Sequence, residues 1–260
     1  MRTLCPAWAS MHEVPAGVAQ QAEQPSCKRQ VSGSTPLTGS SFPARGDRDA
    51  RNIGMVPGGR EHYCPGMSRL PYLRHDDLDA GGQAVWDTVV TSRAGWLVNE
   101  QGGLMGPFNA FVHAPEMGRN LSSLGRVIRY GTSIERRLTE IAIITVGARW
   151  KAEFEWWAHA LMAREHGVAD AIVDAIGKGE DPPFAADDER TVYAAARQLA
   201  ETGQLDQAAY GKAQELLGDA GMVELVSICG YYTLISFLLN AFAVPLPPGA
   251  TPAWSDWPAQ

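Results

Sequence analysis

Residues 140–167, EIAIITVGARWKAEFEWWAHALMAREHG, constrain this chain more than any other stretch. They place Glu140 in one predicted helix, and Glu155 and His159 in the next. Three ionisable groups thus lie inside otherwise apolar or aromatic helical sequence. An unpartnered charge is costly to bury, so the segment must either pair these groups or gather them into a site. Glu155 and His159 are four residues apart and share one helix face, with Cβ atoms about 5–6 Å apart. Ala163 and His166 continue that face. Glu140 shares its face with Ile143, Ile144 and Gly147, which predicts that it points inward. The link between the two helices is very short, so adjacent antiparallel packing is expected to bring Glu140 toward His159.

Helical periodicity continues on both sides. Ala84, Val85, Val89 and Val90 mark one helix, with Gly95 near its end. Pro107 to Val112 reads as a short helix, and Pro115 opens another that runs to Arg129 and stops at Gly131. Thr132 and Glu135 suit a capping box for the helix that carries Glu140. Lys151 to His166 forms the next, closed by Gly167. A short helix around Ile172 and Ile176 ends at Gly177 and Gly179. Asp187 caps another that runs to Thr202. Gln207 to Leu217 is ended by Gly218, and Met222 to Phe242 is stopped by Pro245, Pro247 and Pro248. No strand pattern is convincing, so the expected class is all-α. The last helix is apolar enough to suggest either a central core helix or a subunit interface.

Composition narrows the function classes. A net charge of −7 does not favour nucleic acid as a partner. No uninterrupted apolar run reaches the roughly 18 residues of a membrane span; Val223 to Val244 is broken by Glu224, Ser227, Tyr231, Tyr232, Ser236 and Asn240. The N-terminus has no continuous apolar stretch of the secretory kind, and a cytoplasmic protein is expected. Cys5, Cys27, Cys64 and Cys229 are spaced for neither a zinc site nor a CxxC pair. Residues 1–66 are rich in Gly, Pro, Ser, Gln and Arg without periodicity, which predicts disorder. Their back-translation suggests a second origin. Ser26-Cys27-Lys28-Arg29 can be encoded as an anticodon-like loop, and Gly33-Ser34-Thr35-Pro36 as a T-arm-like sequence. On that reading the segment is a tRNA gene translated in error, and the protein starts at Met67. The helical domain would then be 67–260.

The motif residues resemble the carboxymuconolactone decarboxylase family, which includes the alkyl hydroperoxidase D-like proteins, over most of residues 70–245. The peroxidase branch has Glu, eleven residues, Cys, two residues, Cys, three residues, His. Those places hold Glu140, Ala152, Glu155 and His159 here, so the outer pair matches and both cysteines are missing. His159 followed eight residues later by Gly167 resembles the decarboxylase branch. Met105-Gly106-Pro107-Phe108-Asn109, His113-Ala114-Pro115-Glu116 and the closing VELVSICGYYTLISFLLNAF are also similar to the family. The resemblance implies an alkyl hydroperoxidase D-like helical domain that assembles as a trimer or hexamer.

A thiol peroxidase needs a thiolate and a resolving thiol, and neither Ala152 nor Glu155 is one. Acid–base equipment remains. The first reading is a cofactor-free enzyme, lyase-like, that decarboxylates or isomerises a small unsaturated acid or lactone of the kind met in aromatic degradation. His159 is its general acid/base, Glu155 orients the ring and Glu140 relays a proton. Trp156 and His113 are the candidate substrate contacts, although Trp156 and Trp157 also suit a core and His113 a turn. Arg126, Arg129, Arg136 and Arg149 are candidate cations for a carboxylated substrate. Two alternatives stay open: peroxiredoxin-like reduction through another thiol, and a non-catalytic oligomeric binding protein. Without paired Glu-x-x-His elements, no metal is expected.

Overall fold

The computed structural model describes residues 68–92 and 97–254. The readings for residues 1–66, for a start at Met67 and for Gly95 lie outside the described residues. Among the described residues there are eight α-helices: α1 Ala80–Ser92, α2 Phe108–His113, α3 Pro115–Tyr130, α4 Arg136–Arg149, α5 Glu153–Glu165, α6 Asp170–Lys178, α7 Asp187–Thr202 and α8 Gln207–Ala241. The only β-type pairing among them is an isolated bridge between Val98 and Leu104, and the class is all-α.

α4 is the centre. Every residue from Leu138 to Gly147 is buried, and the helix packs against α5, α6, α7 and α8. A helix that is apolar nearly all round belongs in such a place, and the one charged residue of that stretch, Glu140, is therefore carried into the core. The chain reverses between α4 and α5 over residues 150–152. Lys151 takes up the sharp bend with φ +46°, and Asn240 Nδ2 from α8 donates to the Trp150 carbonyl at 2.7 Å. Gly167, at φ +91°, follows α5 as the sequence predicts.

Two local expectations change in the structure. The capping box of Thr132 and Glu135 does not form: Glu135 is the N-cap residue and makes no side-chain cap. Thr132 Oγ1 donates back to the Ile128 carbonyl at 3.3 Å, while the Ser133 backbone N–H and hydroxyl both donate to Glu224 of α8, at 2.9 and 2.8 Å. A tertiary partner has replaced a local one. Asp187 falls inside the first turn of α7, whose N-cap is Ala186. Its neighbours Asp188 and Glu189 are held by Arg137 of α4 at 2.7 and 2.6 Å. The two predicted C-terminal helices are both present within α8, separated as expected at Gly218, whose φ of 66° and ψ of 179° are not helical.

By length and composition α8 is long and apolar enough to cross a membrane, with a mean hydropathy of 1.7 over its best window. The count of uninterrupted apolar residues missed this, because Tyr and Ser lower an average less than they break a run. Half of that window is buried in this fold, with Leu225, Ile228, Tyr232, Ile235 and Leu239 turned inward. α8 therefore serves as a core helix here.

α3 crosses α2 at a glycine. A Cβ added to Gly118 would run into the Phe111 carbonyl and side chain. Gly118→Ala is expected to lower stability by about 1–3 kcal/mol, as overpacking does; a melting temperature equal to the parent's would contradict that contact.

Candidate active site

The three acidic and basic residues singled out in the sequence meet in the core. Glu140 is 0% exposed, Glu155 4% and His159 6%. His159 Nδ1 lies 2.8 Å from Glu140 Oε2, and Nε2 lies 2.9 Å from Glu155 Oε1. Both ring nitrogens thus face carboxylate oxygens, and a ring that donates from both is an imidazolium. Burial opposes that charge, but Glu140 and Glu155 outweigh it and raise the His159 pKa to about 9. Arg136 completes the group: its Nη2 sits 2.6 Å from Glu140 Oε1, an ion pair without the alignment of a hydrogen bond. Arg136 also donates from Nη1 to the Arg129 carbonyl at 2.9 Å. Two cations and two anions balance, which is the condition under which such a buried group survives.

The elements explain the arrangement. Arg136 and Glu140 are i and i+4 on α4, and Glu155 and His159 are i and i+4 on α5. The tight link sets the two pairs side by side. The helices pass close at Gly147, where a Cβ would sit at ordinary contact distance from Glu155 Cγ, 3.9 Å, and the Trp156 backbone, 3.7 Å. From α8, the Tyr232 ring stands edge-on to the His159 ring, with centroids 4.9 Å apart. Its hydroxyl is buried without a hydrogen-bond partner, as is that of Ser236 one turn on. Burial, the largest influence, holds the Tyr232 phenol well above its usual pKa. Sequence reasoning missed Tyr232, because nothing near Glu140 or His159 in the chain signals a contact from α8. Arg136 stood among four candidate cations, and its i, i+4 spacing to Glu140 was the signal that singles it out.

Other sequence candidates lie elsewhere. His113 Nε2, at the end of α2, contacts the Pro71 carbonyl at 3.0 Å and ties α2 to the segment that precedes α1. Trp156 packs on Gly177 and against Trp254 at 5.4 Å, and Trp157 pairs with Phe154. These rings suit the packing reading. Arg149 stacks over the neighbouring Trp150 ring, 4.9 Å from its centroid. Cys229 is buried, and burial pushes its thiol up to about 12. A thiol in that setting yields almost no thiolate at neutral pH. Among the described residues no cluster of His, Cys, Asp and Glu has the makings of a metal site.

The raised His159 pKa links proton binding to stability. The group stabilises the fold fully below about pH 6.5, its ordinary value, and loses that contribution as pH rises through about 9. Between those limits the parent is expected to lose on the order of 3 kcal/mol relative to His159→Gln. Denaturation curves across that range check this; parallel pH dependences in the two proteins would contradict it.

The architecture is that of known proteins. It is similar to the alkylhydroperoxidase AhpD core of an uncharacterized peroxidase-related protein from Ralstonia eutropha JMP134, with a TM-score of 0.58 and 12% identity over 70% of this chain and 93% of that one. It is also similar to an uncharacterized peroxidase-related protein from Silicibacter sp. TM1040, with a TM-score of 0.54 and 14% identity over 75% of this chain and 96% of that one. No family model and no curated protein matches the sequence. At these identities the likeness establishes the fold, which is AhpD-like.

Proposed function

We propose that this protein is an acid–base enzyme on the AhpD-like scaffold, acting on a small unsaturated organic acid or lactone by isomerisation or decarboxylation without a cofactor. The observation that carries the reading is the buried His159 ring, with Nδ1 2.8 Å from Glu140 and Nε2 2.9 Å from Glu155. It changes the roles suggested by sequence. A ring engaged at both nitrogens has no lone pair for a substrate. Glu155 therefore exchanges the proton with carbon, and His159 supplies and steadies it.

In the isomerisation direction a Glu155 oxygen takes a proton from the carbon next to the substrate carbonyl. The C–H electron pair passes into the carbonyl as an enolate, the proton on Glu155 exchanges with solvent by way of His159 Nε2, and a solvent-derived proton is delivered to a different carbon. In decarboxylation the C–C bond pair left by departing carbon dioxide forms the enolate. The His159 Nε2 proton moves to Glu155 and on to the enolate carbon, and solvent reprotonates the ring. Glu140 keeps its contact with Nδ1 throughout, and Arg136 holds its other oxygen. Proton transfer of this kind contributes about 10²–10⁴-fold.

The test is NMR detection of deuterium incorporation, or of carbon dioxide loss, when the protein meets a panel of unsaturated lactones and acids in heavy water. Incorporation abolished by His159→Gln and untouched by thiol alkylation is the expected outcome. Turnover that survives His159→Gln would refute the assignment. The peroxidase names of the structural neighbours favour a second reading, reduction of a hydroperoxide. The Ala152 and Glu155 positions and the buried Cys229 give that chemistry no thiolate among the described residues, and activity lost on alkylation would be its signature.

We also propose that the protein works as a homo-oligomer. Val223, Val226, Leu234 and Phe237 are exposed at helical spacing on one side of α8, and exposed apolar side chains gathered on one face mark an interaction surface. Light scattering is expected to give a trimer or hexamer, and Phe237→Glu to shift it toward the monomer. A monomeric parent at micromolar concentration would contradict this.

A further inference from the structure

A separate cleft of about 530 Å³ lies where the C-terminal ends of α4 and α6 meet α7 and the chain that follows α8. Neither Glu140, Glu155 nor His159 lines it. Its walls carry four cationic residues, Arg149, Lys151, Lys178 and Arg197, against one carboxylate, Glu201. That carboxylate is already engaged by Arg197 Nε at 2.9 Å. The concentration of positive charge stands out on a chain whose net charge is −7. Helix dipoles favour Arg149 and Lys178 at the ends of their helices, but they do not explain why both ends and two further cations open onto one cavity.

Two aromatic residues, Tyr193 and Trp254, supply apolar surface in the same cleft. Trp254 is fixed there. Its indole N–H donates to the Gly177 carbonyl at 2.9 Å, and its backbone N–H donates to Glu153 at 2.9 Å. The buried Glu153 also accepts the Ala253 N–H at 2.8 Å. The wall is thus held by the first turn of α5 and does not depend on a ligand. Cavities of this size hold small molecules, with apolar walls for the body and a few polar groups for orientation.

The geometry points to a binding site for a small planar oxyanion: an unsaturated or aromatic ring bearing carboxylate or phosphate groups, its charge met by Arg149, Lys178, Lys151 and Arg197 and its face by Trp254 and Tyr193. The site is separate from the buried acid–base group and does not depend on the activity proposed for it.

Calorimetric titration of the full chain with benzene-1,3,5-tricarboxylate, adenosine monophosphate and inorganic phosphate tests this. Saturable binding of at least one of the two planar ligands is expected. The tighter of them identifies the anion as carboxylate or phosphate, and inorganic phosphate, which has no ring, binds more weakly. The double variant Arg149→Glu with Lys178→Glu is expected to weaken binding at least about tenfold, while Arg119→Glu, an exposed change on α3, leaves it unaltered. Trp254→Ala is expected to remove the advantage of the planar ligands over phosphate, and added salt to weaken all binding. No saturable binding by either planar ligand, binding that survives the double charge reversal, or phosphate binding as tightly as the rings would each overturn the inference. Circular dichroism confirms that the variants are folded before they are compared.

Discussion

Glu140→Ala is expected to lower the free energy of unfolding by about 3–5 kcal/mol, the usual consequence of removing one partner from a buried ion pair. The carboxylate is 0% exposed and faces Arg136 on one oxygen and His159 on the other. Without it, two cationic groups converge on a buried gap near the N-terminal end of α4, and Arg136 Nη2 and His159 Nδ1 both lose their carboxylate. The His159 ring also loses the largest influence that raises its pKa, so it sheds its proton nearer neutrality. Glu140→Gln keeps the shape and offers an acceptor oxygen, and the loss should be smaller. Urea denaturation measures both. A Glu140→Ala protein within 1 kcal/mol of the parent, an error-sized change for such methods, would mean that the group is solvated and the burial argument fails.

Glu155→Gln separates chemistry from stability. Glu140 still holds Nδ1 in that variant, so the imidazole keeps one anchor and the fold persists. The amide neither takes a proton from carbon nor receives one from Nε2. The rate on any substrate that the parent turns over is expected to fall by about 10²–10⁴-fold, and binding of that substrate to change far less. Single-turnover kinetics beside a direct binding measurement distinguish the two. A variant that keeps more than half of the parental rate would assign proton transfer to some other group.

The site and the fold differed in how far the sequence revealed them. Glu140, Glu155 and His159 were legible because a charge inside a helical apolar run has few destinations, and a very short turn leaves the two helices no choice but to pack. Helix ends were legible where backbone geometry demands glycine, at Gly167, Gly179 and Gly218. What the sequence concealed is tertiary substitution for local bonds. Glu224 holds Ser133 in place of a capping box, and Arg137 holds Asp188 and Glu189. Tyr232 is 73 positions from His159 in the chain, and only packing brings them together. The role of His159 also changed for a reason spacing does not carry. Spacing shows that two acids are near, whereas only the positions of Nδ1 and Nε2 show that both nitrogens are engaged.

The most direct test is the protonation state of the His159 ring. With histidine labelled in both ring nitrogens, NMR should show Nδ1 and Nε2 both carrying hydrogen at neutral pH, and the ring titrating near 9. A His159 ring that is neutral at pH 7, or that titrates at or below its ordinary value near 6.5, would contradict an imidazolium held between two carboxylates.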